Sequence, residues 1–505
     1  MSRSAFFAAF CGVCVSTLLL GSQQESRGGR GAGAQGGGRG WGPPLYKLDD
    51  AYVGTPLPAS EEKYRSIDGA RLKGWINELV TISRRYRDAG HQYWGRITGT
   101  ESDTQTQQWL VERFKQFGLE NVRIQQHDLP PQWLPGPWEL AVSGQGRSVK
   151  LESAQPMGES AGTPTGGISI EPVWVGMGAP ADFIGRDVRG KAAVIYSNLQ
   201  PSVRGHSAQS MGSLNRAREK GAAAIVVVMA NPGNFENNQP GPAPASIPTM
   251  TVGLQDGNLI REIIEQAEPG SPPKLILKLD VNKAAGLKTG TVWGTLPGTS
   301  DENIHIQAHL DGFFDGALDN ASGIATMVGL AEYFSHVPRQ QRRRTITFVG
   351  TSGHHAGSPS VRWMHENKEK VFAKTALIIN CEHVAETQTY WNGDRLIRSN
   401  LVGARRWYVN GSEELKTLIV RVFDLFGIAT YELPEARGGG ELGAVGEDAP
   451  SFHIIDHRSY HSTLDTPEIV PNIGLAAATR SFAKIIDEVN RMEIRDLVRH
   501  SGAEK

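Results

Sequence analysis

The sequence predicts an α/β fold, with a mostly parallel mixed sheet, helices on both faces and an inserted β-rich domain. After Val292, apolar runs of strand length alternate with segments of helical periodicity. Such a βαβ order predicts parallel strands that helices cover on both sides. Between residues 151 and 285, Gly, Pro and short β-rich runs replace this alternation, which indicates an insertion.

The N-terminal segment predicts an exported protein. It begins Met-Ser-Arg and continues with an apolar run over residues 5–20, which is short and lightly charged. This suits a secretory signal, residues 1–21, better than a membrane span, and an uncleaved anchor helix is the alternative. Residues 22–44 are dominated by Gly, Arg, Gln and Ser and predict a disordered tether. We expect a periplasmic or extracellular protein without an integral membrane span after signal removal.

Composition bounds the remaining possibilities. The chain has 505 residues, of which 39% are hydrophobic and 21% charged, enough for two or three domains with their own cores. The formal net charge is -1 and no long basic run is present, so we expect no nucleic-acid partner. Cys11 and Cys14 lie in the N-terminal segment, which leaves Cys381 alone in a processed chain and excludes an intrachain disulfide there.

Two stretches on either side of the insertion form the predicted main domain, residues 45–150 and 286–505. In the first, helical spacing over residues 67–82 precedes a second helix that Thr100 or Ser102 can cap and Gly118 ends. A strand at 121–127 follows. In the second, the predicted strands are 303–310, 345–352, 376–384 and 451–456, and a helix from 474 to about 498 closes the domain. Within the insertion, strands are predicted at 190–197 and after Gly221.

Side chains that bind metals cluster where predicted strands end, the edge at which α/β sheets place their chemistry. His309 and Asp311 are two residues apart, so they point to the same side of an extended chain. Asp319 follows a glycine-bearing loop and is expected to open a helix; taken alone, its motif predicts only an N-cap. Imidazole and carboxylate groups are the ligands that Zn²⁺ prefers, together with thiolate.

Three later positions add to this cluster. His354 and His355 directly follow a buried strand. Glu382 ends an otherwise apolar run, where a charge needs a metal or a cation, and an ion pair with an arginine is the alternative. His461 has Asp465 nearby, which alone is weak evidence. Together, these positions predict a metal centre.

In chain order, these motifs resemble those of the co-catalytic zinc peptidase family, which includes bacterial leucyl aminopeptidases, glutamate carboxypeptidases and glutaminyl cyclases. The family pattern is His-x-Asp, Asp-Asn-x-x-Gly, Gly-Glu-Glu before Gly-Ser, an acidic residue ending the next strand, and Tyr-His-x-x-x-Asp-Thr. This chain matches four of these five motifs in residue type. The resemblance covers most of the chain after about residue 66. The insertion at 151–285 resembles the protease-associated (PA) domain of some exopeptidases, and a plain packing module is the alternative.

The resemblance implies a metal centre with assigned ligands. Two divalent ions, zinc in the family, would be held by His309, Asp319 and Glu382 and by Asp319, His355 and His461. Asp311 would lie behind the ligands and orient them. The insertion, like PA domains elsewhere, would shape or cover the site.

His354 and His355 depart from the family pattern, which has two glutamates at these positions. The second glutamate is a metal ligand, and His355 can replace it because imidazole binds Zn²⁺ as carboxylate does. The set of Asp319, His355 and His461 also resembles the two-histidine, one-carboxylate face of Fe(II) enzymes, which leaves the metal open. The first glutamate is the general base, and the pKa of a histidine suits that task, so His354 is the predicted base.

These motifs predict an exported metal-dependent hydrolase of peptide or related amide bonds. It would act as an aminopeptidase-like exopeptidase on a peptide or an amino-acid amide, with a metal-activated water. Two alternatives stand beside it: a catalytically impaired relative that serves as a binding module, and a different amide or acyl reaction such as glutaminyl cyclisation. Candidate substrate contacts lie on or near a Gly-rich segment, where solvated loop residues are the common alternative: Glu441, His453, Arg458 and Tyr460.

Overall fold

The structure is a computed structural model that describes residues 51–199, 206–238, 243–244, 246–392, 395–431, 434, 438 and 440–499. The predicted signal (1–21) and tether (22–44) lie outside the described residues. Within the described ranges, no helix has both the length and the apolar character that a membrane span needs.

The strands are numbered in chain order. They are β1 (Gly95–Arg96), β2 (Glu120–Asp128), β3 (Gln132–Gly144), β4 (Arg147–Lys150), β5 (Gln155–Pro156), β6 (Ile168–Ile170), β7 (Pro172–Trp174), β8 (Ala192–Ser197), β9 (Ala224–Met229), β10 (Thr249–Gly253), β11 (Lys274–Ala284), β12 (Lys288–Leu296), β13 (Asn303–His309), β14 (Gly312–Phe313), β15 (Thr345–Thr351), β16 (Thr375–Asn380), β17 (Thr387–Asn392), β18 (Arg395–Val402), β19 (Arg406–Asn410) and β20 (Ser451–Ile455).

The α-helices are numbered in the same way. They are α1 (Gly69–Asp88), α2 (Glu101–Gln116), α3 (Ser207–Ser210), α4 (Ser213–Glu219), α5 (Leu254–Glu265), α6 (Gly323–Ser335), α7 (Pro359–Glu366), α8 (Lys368–Val371), α9 (Glu413–Phe426), α10 (Leu442–Val445), α11 (Asn472–Val489) and α12 (Ile494–Leu497).

The main sheet has seven strands in the order β19-β20-β16-β13-β15-β12-β2. Its four central strands, β20, β16, β13 and β15, run parallel, whereas β19, β12 and β2 pair antiparallel with their neighbours. Helices α1, α6, α9 and α11 cover one face, and α7 and α10 pack with Trp293, Val349 and Ile378 on the other. The predicted α/β class with a mixed sheet covered on both faces is confirmed. The central strands are buried almost throughout because both faces are covered, which explains their continuous apolar runs.

Two smaller sheets lie between Gln132 and Ala284, in the orders β5-β10-β9-β8-β7 and β4-β3-β11-β6. We call this part the inserted unit. It has a core of its own, in which Leu140 and Val142 of β3 pack with Val226 of β9. Because β3 pairs with β11 along most of its length, this core begins ahead of residue 151, the predicted boundary. Whether the unit is a PA domain stays a prediction.

Two expected helix limits were wrong. Asp319 was expected to open a helix, but regular helical geometry begins at Gly323, and Asp319 lies in a preceding π-helical turn, Ala317–Ser322, with non-helical φ and ψ. The carboxylate of Asp465, which is far from this turn in sequence, accepts hydrogen bonds from its backbone N–H groups. The closing helix was expected to run to about 498, but α11 ends at Val489 and a short α12 follows. Arg344 donates hydrogen bonds to the carbonyls of Val489 and Met492, which satisfies this helix end.

Candidate metal centre

The predicted ligands meet at the carboxyl ends of the parallel strands. His309 is the last residue of β13, and Glu382 lies two residues after β16. His354 and His355 stand in a 3-10 turn, His354–Ala356, that follows β15. His461 lies on the loop after β20. Parallel strands bring these ends together, so the fold explains how residues so far apart in the chain share one centre.

The carboxylate of Asp319 lies between two groups of imidazoles. Its Oδ1 is 3.2 Å from His309 Nε2, and its Oδ2 is 2.9 Å from His461 Nε2. The loop that carries it is fixed by Asp465, which accepts hydrogen bonds from the backbone N–H groups of Leu318 (2.6 Å) and Asp319 (3.0 Å). Asp319 is therefore placed to serve both halves of the centre.

Hydrogen bonds to acceptor-only oxygens fix which nitrogen of each ring carries the proton. His461 Nδ1 donates to the carbonyl of Asn238 at 3.2 Å, and His309 Nδ1 donates to the carbonyl of Asp311 at 3.0 Å. His355 Nδ1 donates to the Asp311 carboxylate at 3.1 Å. The Nε2 atoms of all three rings are left to act as acceptors or ligands.

Asp311 orients the ligands largely through His355. Besides the ring of His355, its carboxylate accepts the backbone N–H groups of His354 at 3.2 Å and His355 at 2.9 Å. The distance from its Oδ1 to His309 Nδ1 is longer, 3.6 Å. The side chain of Asp311 thus anchors the turn that carries His354 and His355.

These residues fit a bound metal ion. Bare nitrogen and carboxylate lone pairs that face each other at 2.9 Å and 3.2 Å repel unless a cation lies among them. Both Asp319 oxygens and His309 Nε2 lack a hydrogen-bond partner among the described groups. The Nε2 atoms of His355 and His461 are 3.0 Å apart. The edge of a tetrahedron of zinc ligands measures roughly 3.3 Å at ordinary Zn–N and Zn–O distances, so the observed separations suit such an ion.

The charge states also suit a metal. Burial alone would raise the pKa of the Glu382 carboxyl, yet the surrounding histidines lower it to about 2. Burial would likewise raise the pKa of Asp319, but the neighbouring histidines hold it well below its usual value. Burial lowers the pKa of His461 to about 3. Charged carboxylates and a neutral imidazole are the forms that bind metals.

His354 is not aimed at Asp319 but stacks on His309, with ring centres 4.4 Å apart and 18° between the planes. Its Nδ1 is 3.4 Å from Glu441 Oε1, which also accepts a hydrogen bond from Thr351 Oγ1 at 3.0 Å. Burial and the nearby His309 would lower the pKa of His354, but Glu441 raises it above its ordinary value. Glu441 is 1% exposed, so it lies behind His354, and its predicted contact with substrate stays a prediction.

The other three predicted substrate contacts, Tyr460, His453 and Arg458, lie in three different environments. Tyr460 stacks on His461 with ring centres 3.5 Å apart. His453 is fully buried in β20 against Tyr408, which leaves it no exposed area. Arg458 donates to the carbonyl of Thr389 at 3.1 Å and lines a cavity of about 370 Å³. The other residues that line this cavity are apolar or aromatic, Leu199, Trp391, Leu396, Tyr431 and Leu464, and polar, Asn231, Thr389, Asp456 and Ser459.

All the predicted metal ligands lie in a region shared with a known family. Residues 291–484 match peptidase family M28. This match confirms the predicted resemblance to co-catalytic zinc peptidases. The M28 region contains both ends of the centre, from His309 to His461.

Solved structures share the fold well beyond the M28 region. A zinc aminopeptidase from Bacillus subtilis is 18% identical, with a TM-score of 0.60, and the match covers 88% of this chain and 99% of that chain. A peptidase M28 precursor from Shewanella amazonensis SB2B is 16% identical, with a TM-score of 0.69, and the match covers 90% of this chain and 100% of that chain. At these identities, the likeness shows the fold.

One curated protein matches a shorter stretch. The minor extracellular protease Vpr of Bacillus subtilis (strain 168) is 32% identical over 117 residues, which is 23% of this chain and 13% of Vpr. The chain therefore spans only a small part of this relative.

Sequence reasoning did not single out three residues that the structure places at the centre. His383 Nε2 is 3.0 Å from Asp319 Oδ1, and its position next to Glu382 was the available signal. His457 Nε2 is 3.2 Å from Asp465 Oδ2. Arg96 donates to the carbonyls of Leu310, Asp315 and Gly316, but it is more than two hundred residues from them in sequence, and no local pattern marks it.

Proposed function

We propose that this protein is an exported, zinc-dependent hydrolase of peptide or related amide bonds that acts as an aminopeptidase-like exopeptidase with two metal ions. The observation that carries the proposal is the Asp319 carboxylate, whose two oxygens face His309 and His461 on opposite sides. A carboxylate placed in this way could serve as a ligand to both ions of a two-metal site. Similarity to the B. subtilis zinc aminopeptidase supports the choice of metal and reaction.

Bound zinc would supply Lewis-acid activation of a water molecule and of the scissile carbonyl. Site one comprises His309, Asp319 and Glu382, and site two comprises Asp319, His355 and His461. Asp311 keeps His355 in the tautomer that leaves Nε2 bare, and Asn238 does the same for His461. These contacts set the ligands before substrate arrives.

His354 would accept the proton that the attacking water loses. Its Nδ1 faces Glu441, so a proton on Nδ1 is held there, and Nε2 is the atom left to accept another. The side chain is 18% exposed, so it is not sealed inside the protein. Glu441 would then stabilise the imidazolium that forms, as the buried carboxylate of a catalytic triad does.

The cavity beside Arg458 would receive a side chain of the substrate. Its volume of about 370 Å³ and the apolar side chains in its lining, among them Trp391, Leu396 and Leu464, suit a large apolar residue. The cavity lies on the segment that leads to Tyr460 and His461. We therefore expect a preference for peptides with a bulky apolar residue next to the scissile bond.

Metal content and hydrolysis of aminoacyl anilides and dipeptides test the proposal on the purified chain. We expect about two zinc ions per wild-type chain and release of the N-terminal residue. His309→Ala and Asp319→Ala should each lower kcat/KM by at least ~10³-fold, because each removes a ligand. The exposed His336→Ala is the matched control. A wild-type protein that binds no metal and cleaves none of these substrates would contradict the proposal.

A binding module without catalysis is the second candidate, and it is favoured by His354 and His355 in place of two glutamates. It predicts that metal-loaded wild type is inert on all the substrates while His354→Glu gains activity. Glutaminyl cyclisation is distinguished by mass spectrometry, because the cyclised product of an N-terminal glutamine peptide loses ammonia without gaining water. Export is proposed from residues 5–20 and is tested by recovering the processed chain from outside the cytoplasm.

A further inference from the structure

His383 is a buried histidine that lies against the carboxylate shared by the two proposed sites. Its Nε2 is 3.0 Å from Asp319 Oδ1, and only 1% of the side chain is exposed. The same carboxylate oxygen is 3.2 Å from His309 Nε2. Two imidazoles therefore flank one oxygen of Asp319.

Apart from the Asp319 carboxylate, neither ring nitrogen of His383 has a hydrogen-bond partner within the part of the chain that the structure describes. Its ring neighbours are the side chains of His457, 4.8 Å away, and Tyr460, 6.1 Å away, both measured between ring centres. Buried polar atoms normally have a partner, and a cation bound at Nε2 would supply one for its lone pair.

The backbone turns so that His383 joins the centre. His383 has a left-handed φ of 46°, a conformation that is uncommon outside glycine, asparagine, aspartate and histidine. Its backbone N–H donates to Asn320 Oδ1 at 3.3 Å, which ties the turn to the residue after Asp319. Adjacent side chains of an extended chain point to opposite sides, but here Glu382, His383 and His309 offer ligand atoms within 4.8 Å of one another.

We propose that His383 is a fourth protein ligand of the ion that His309, Asp319 and Glu382 hold. The proposal rests on the proposed function only in requiring an ion at this centre. Site one then has two imidazoles and two carboxylates, and the whole centre has four imidazoles. Imidazole suits zinc, copper and nickel, whereas magnesium, calcium and manganese prefer oxygen, so this ligand strengthens selection for the first group.

Cobalt substitution of the full-length chain tests the ligand directly. A histidine bound to paramagnetic Co²⁺ shows a strongly shifted exchangeable imidazole N–H signal in proton NMR. We expect four such signals in wild type, from His309, His355, His383 and His461, and three in His383→Asn. Asparagine tolerates the left-handed conformation, so this variant should keep the turn while its shorter side chain withdraws from the ion. His354→Asn, which removes a neighbouring imidazole that is not a proposed ligand, should keep all four.

Chelator competition provides a second readout. One Co²⁺ of His383→Asn should bind at least ~100-fold more weakly than in wild type, because even partners behind the ligands contribute 10–100-fold. The His354→Asn affinities should stay within about threefold of wild type. Three signals in wild type, or unchanged signals and affinities in a folded His383→Asn, would overturn the proposal while leaving the proposed function standing. If His383→Asn does not fold, the wild-type count decides. A wild-type chain that binds no Co²⁺ would overturn both.

Discussion

At the scale of single residues, the proposed base His354 lies against a buried carboxylate, with Glu441 Oε1 3.4 Å from its Nδ1. If His354 takes up a proton during the proposed reaction, this carboxylate would stabilise its charged form. In the family pattern, the glutamate that acts as the general base also carries a negative charge of its own. Here the two properties would be divided between the imidazole of His354, which is 18% exposed, and the buried carboxylate of Glu441 behind it.

The first prediction concerns this division. Glu441→Gln should lower kcat by about 10–100-fold and leave KM within about twofold, because Glu441 acts through His354 and not on bound substrate. Steady-state kinetics on an aminoacyl anilide provide the measurement. Glu447→Gln, an exposed glutamate six residues further on, is the control. A rise in KM with unchanged kcat would instead support the original prediction that Glu441 contacts the substrate.

A second prediction concerns acid stability and lies outside the centre. His206 is fully buried, and burial lowers its pKa to about 4. Since the unfolded chain holds this proton with a pKa near 6.5, the unfolded state binds more protons between pH 6.5 and 4, and folding is weakened as the pH falls through this window. The shift corresponds to about 3 kcal/mol.

Urea unfolding at pH 6.5 and pH 4, with metal chelated throughout, measures this effect. The loss of unfolding free energy on acidification should be smaller in His206→Gln than in wild type by about 2–3 kcal/mol. The exposed His91→Gln should lose as much as wild type does. Equal losses in His206→Gln and wild type would show that His206 does not contribute.

Residue types alone placed His309 and Asp319 in one predicted centre, and the structure brings their side chains together, with His309 Nε2 3.2 Å from Asp319 Oδ1. Residue types were not enough for His383, which follows a stronger candidate, Glu382, and joins the centre only through a left-handed turn. Nor could they predict what Glu441 touches, since its partner lies 87 residues earlier in the chain.

At the scale of elements, the turn at Ala317–Ser322 shows how one loop holds another. Asp465 accepts the backbone N–H groups of Leu318 and Asp319 and also lies 3.2 Å from His457 Nε2. The carboxylate takes over the role that a capping side chain plays at an ordinary helix start. The helix that was expected to begin at Asp319 begins at Gly323, after this turn.

The third prediction follows from this contact. Asp465→Asn places an amide N–H₂ where the carboxylate accepts three hydrogen bonds, so the turn should shift and Asp319 should lose its position. Zinc affinity, measured by chelator competition, should fall about 10–100-fold. The exposed Asp424→Asn should bind zinc as wild type does. An unchanged affinity in Asp465→Asn would mean that the turn holds its shape without this contact.

Elements of the main sheet were the easiest part to predict. Strands such as β13 and β16 are buried on both faces and appear in the sequence as unbroken apolar runs. A charged side chain at the end of such a run is easy to recognise because every residue before it is apolar or nearly so. The antiparallel outer strands carry a weaker pattern, and the pairing of β2 with β12 joins segments on either side of the inserted unit.

At the scale of the whole molecule, the inserted unit takes part in the centre. The backbone of Asn238 makes two hydrogen bonds with His461. Its carbonyl accepts one from the ring Nδ1 at 3.2 Å, and its N–H donates one to the His461 carbonyl at 2.8 Å. Asn237 Nδ2 donates to the Tyr460 carbonyl at 3.1 Å, and the Thr463 N–H donates to the Glu236 carbonyl at 3.0 Å. The composition of the insertion predicted a separate domain. It could not predict that Asn237 and Asn238 contact residues 223 positions later in the chain.

The fourth prediction tests this role. Asn237→Ala removes the bond to Tyr460 and should weaken zinc binding by about 1 kcal/mol, or about fivefold, because the loop that carries His461 is less firmly held. The exposed Asn258→Ala, on α5 of the same unit, should have no effect on zinc affinity. Equal affinities in the two variants would indicate that the unit contacts the loop without supporting its ligand.

The central claim is that Asp319 joins two metal ions in one site, and anomalous diffraction from zinc-loaded crystals tests it most directly. We predict two anomalous peaks per chain, one among His309, Glu382 and Asp319 and one among His355, His461 and Asp319, with one oxygen of Asp319 directed at each. A single peak that Asp319 does not contact, or no peak at these histidines, would contradict the account.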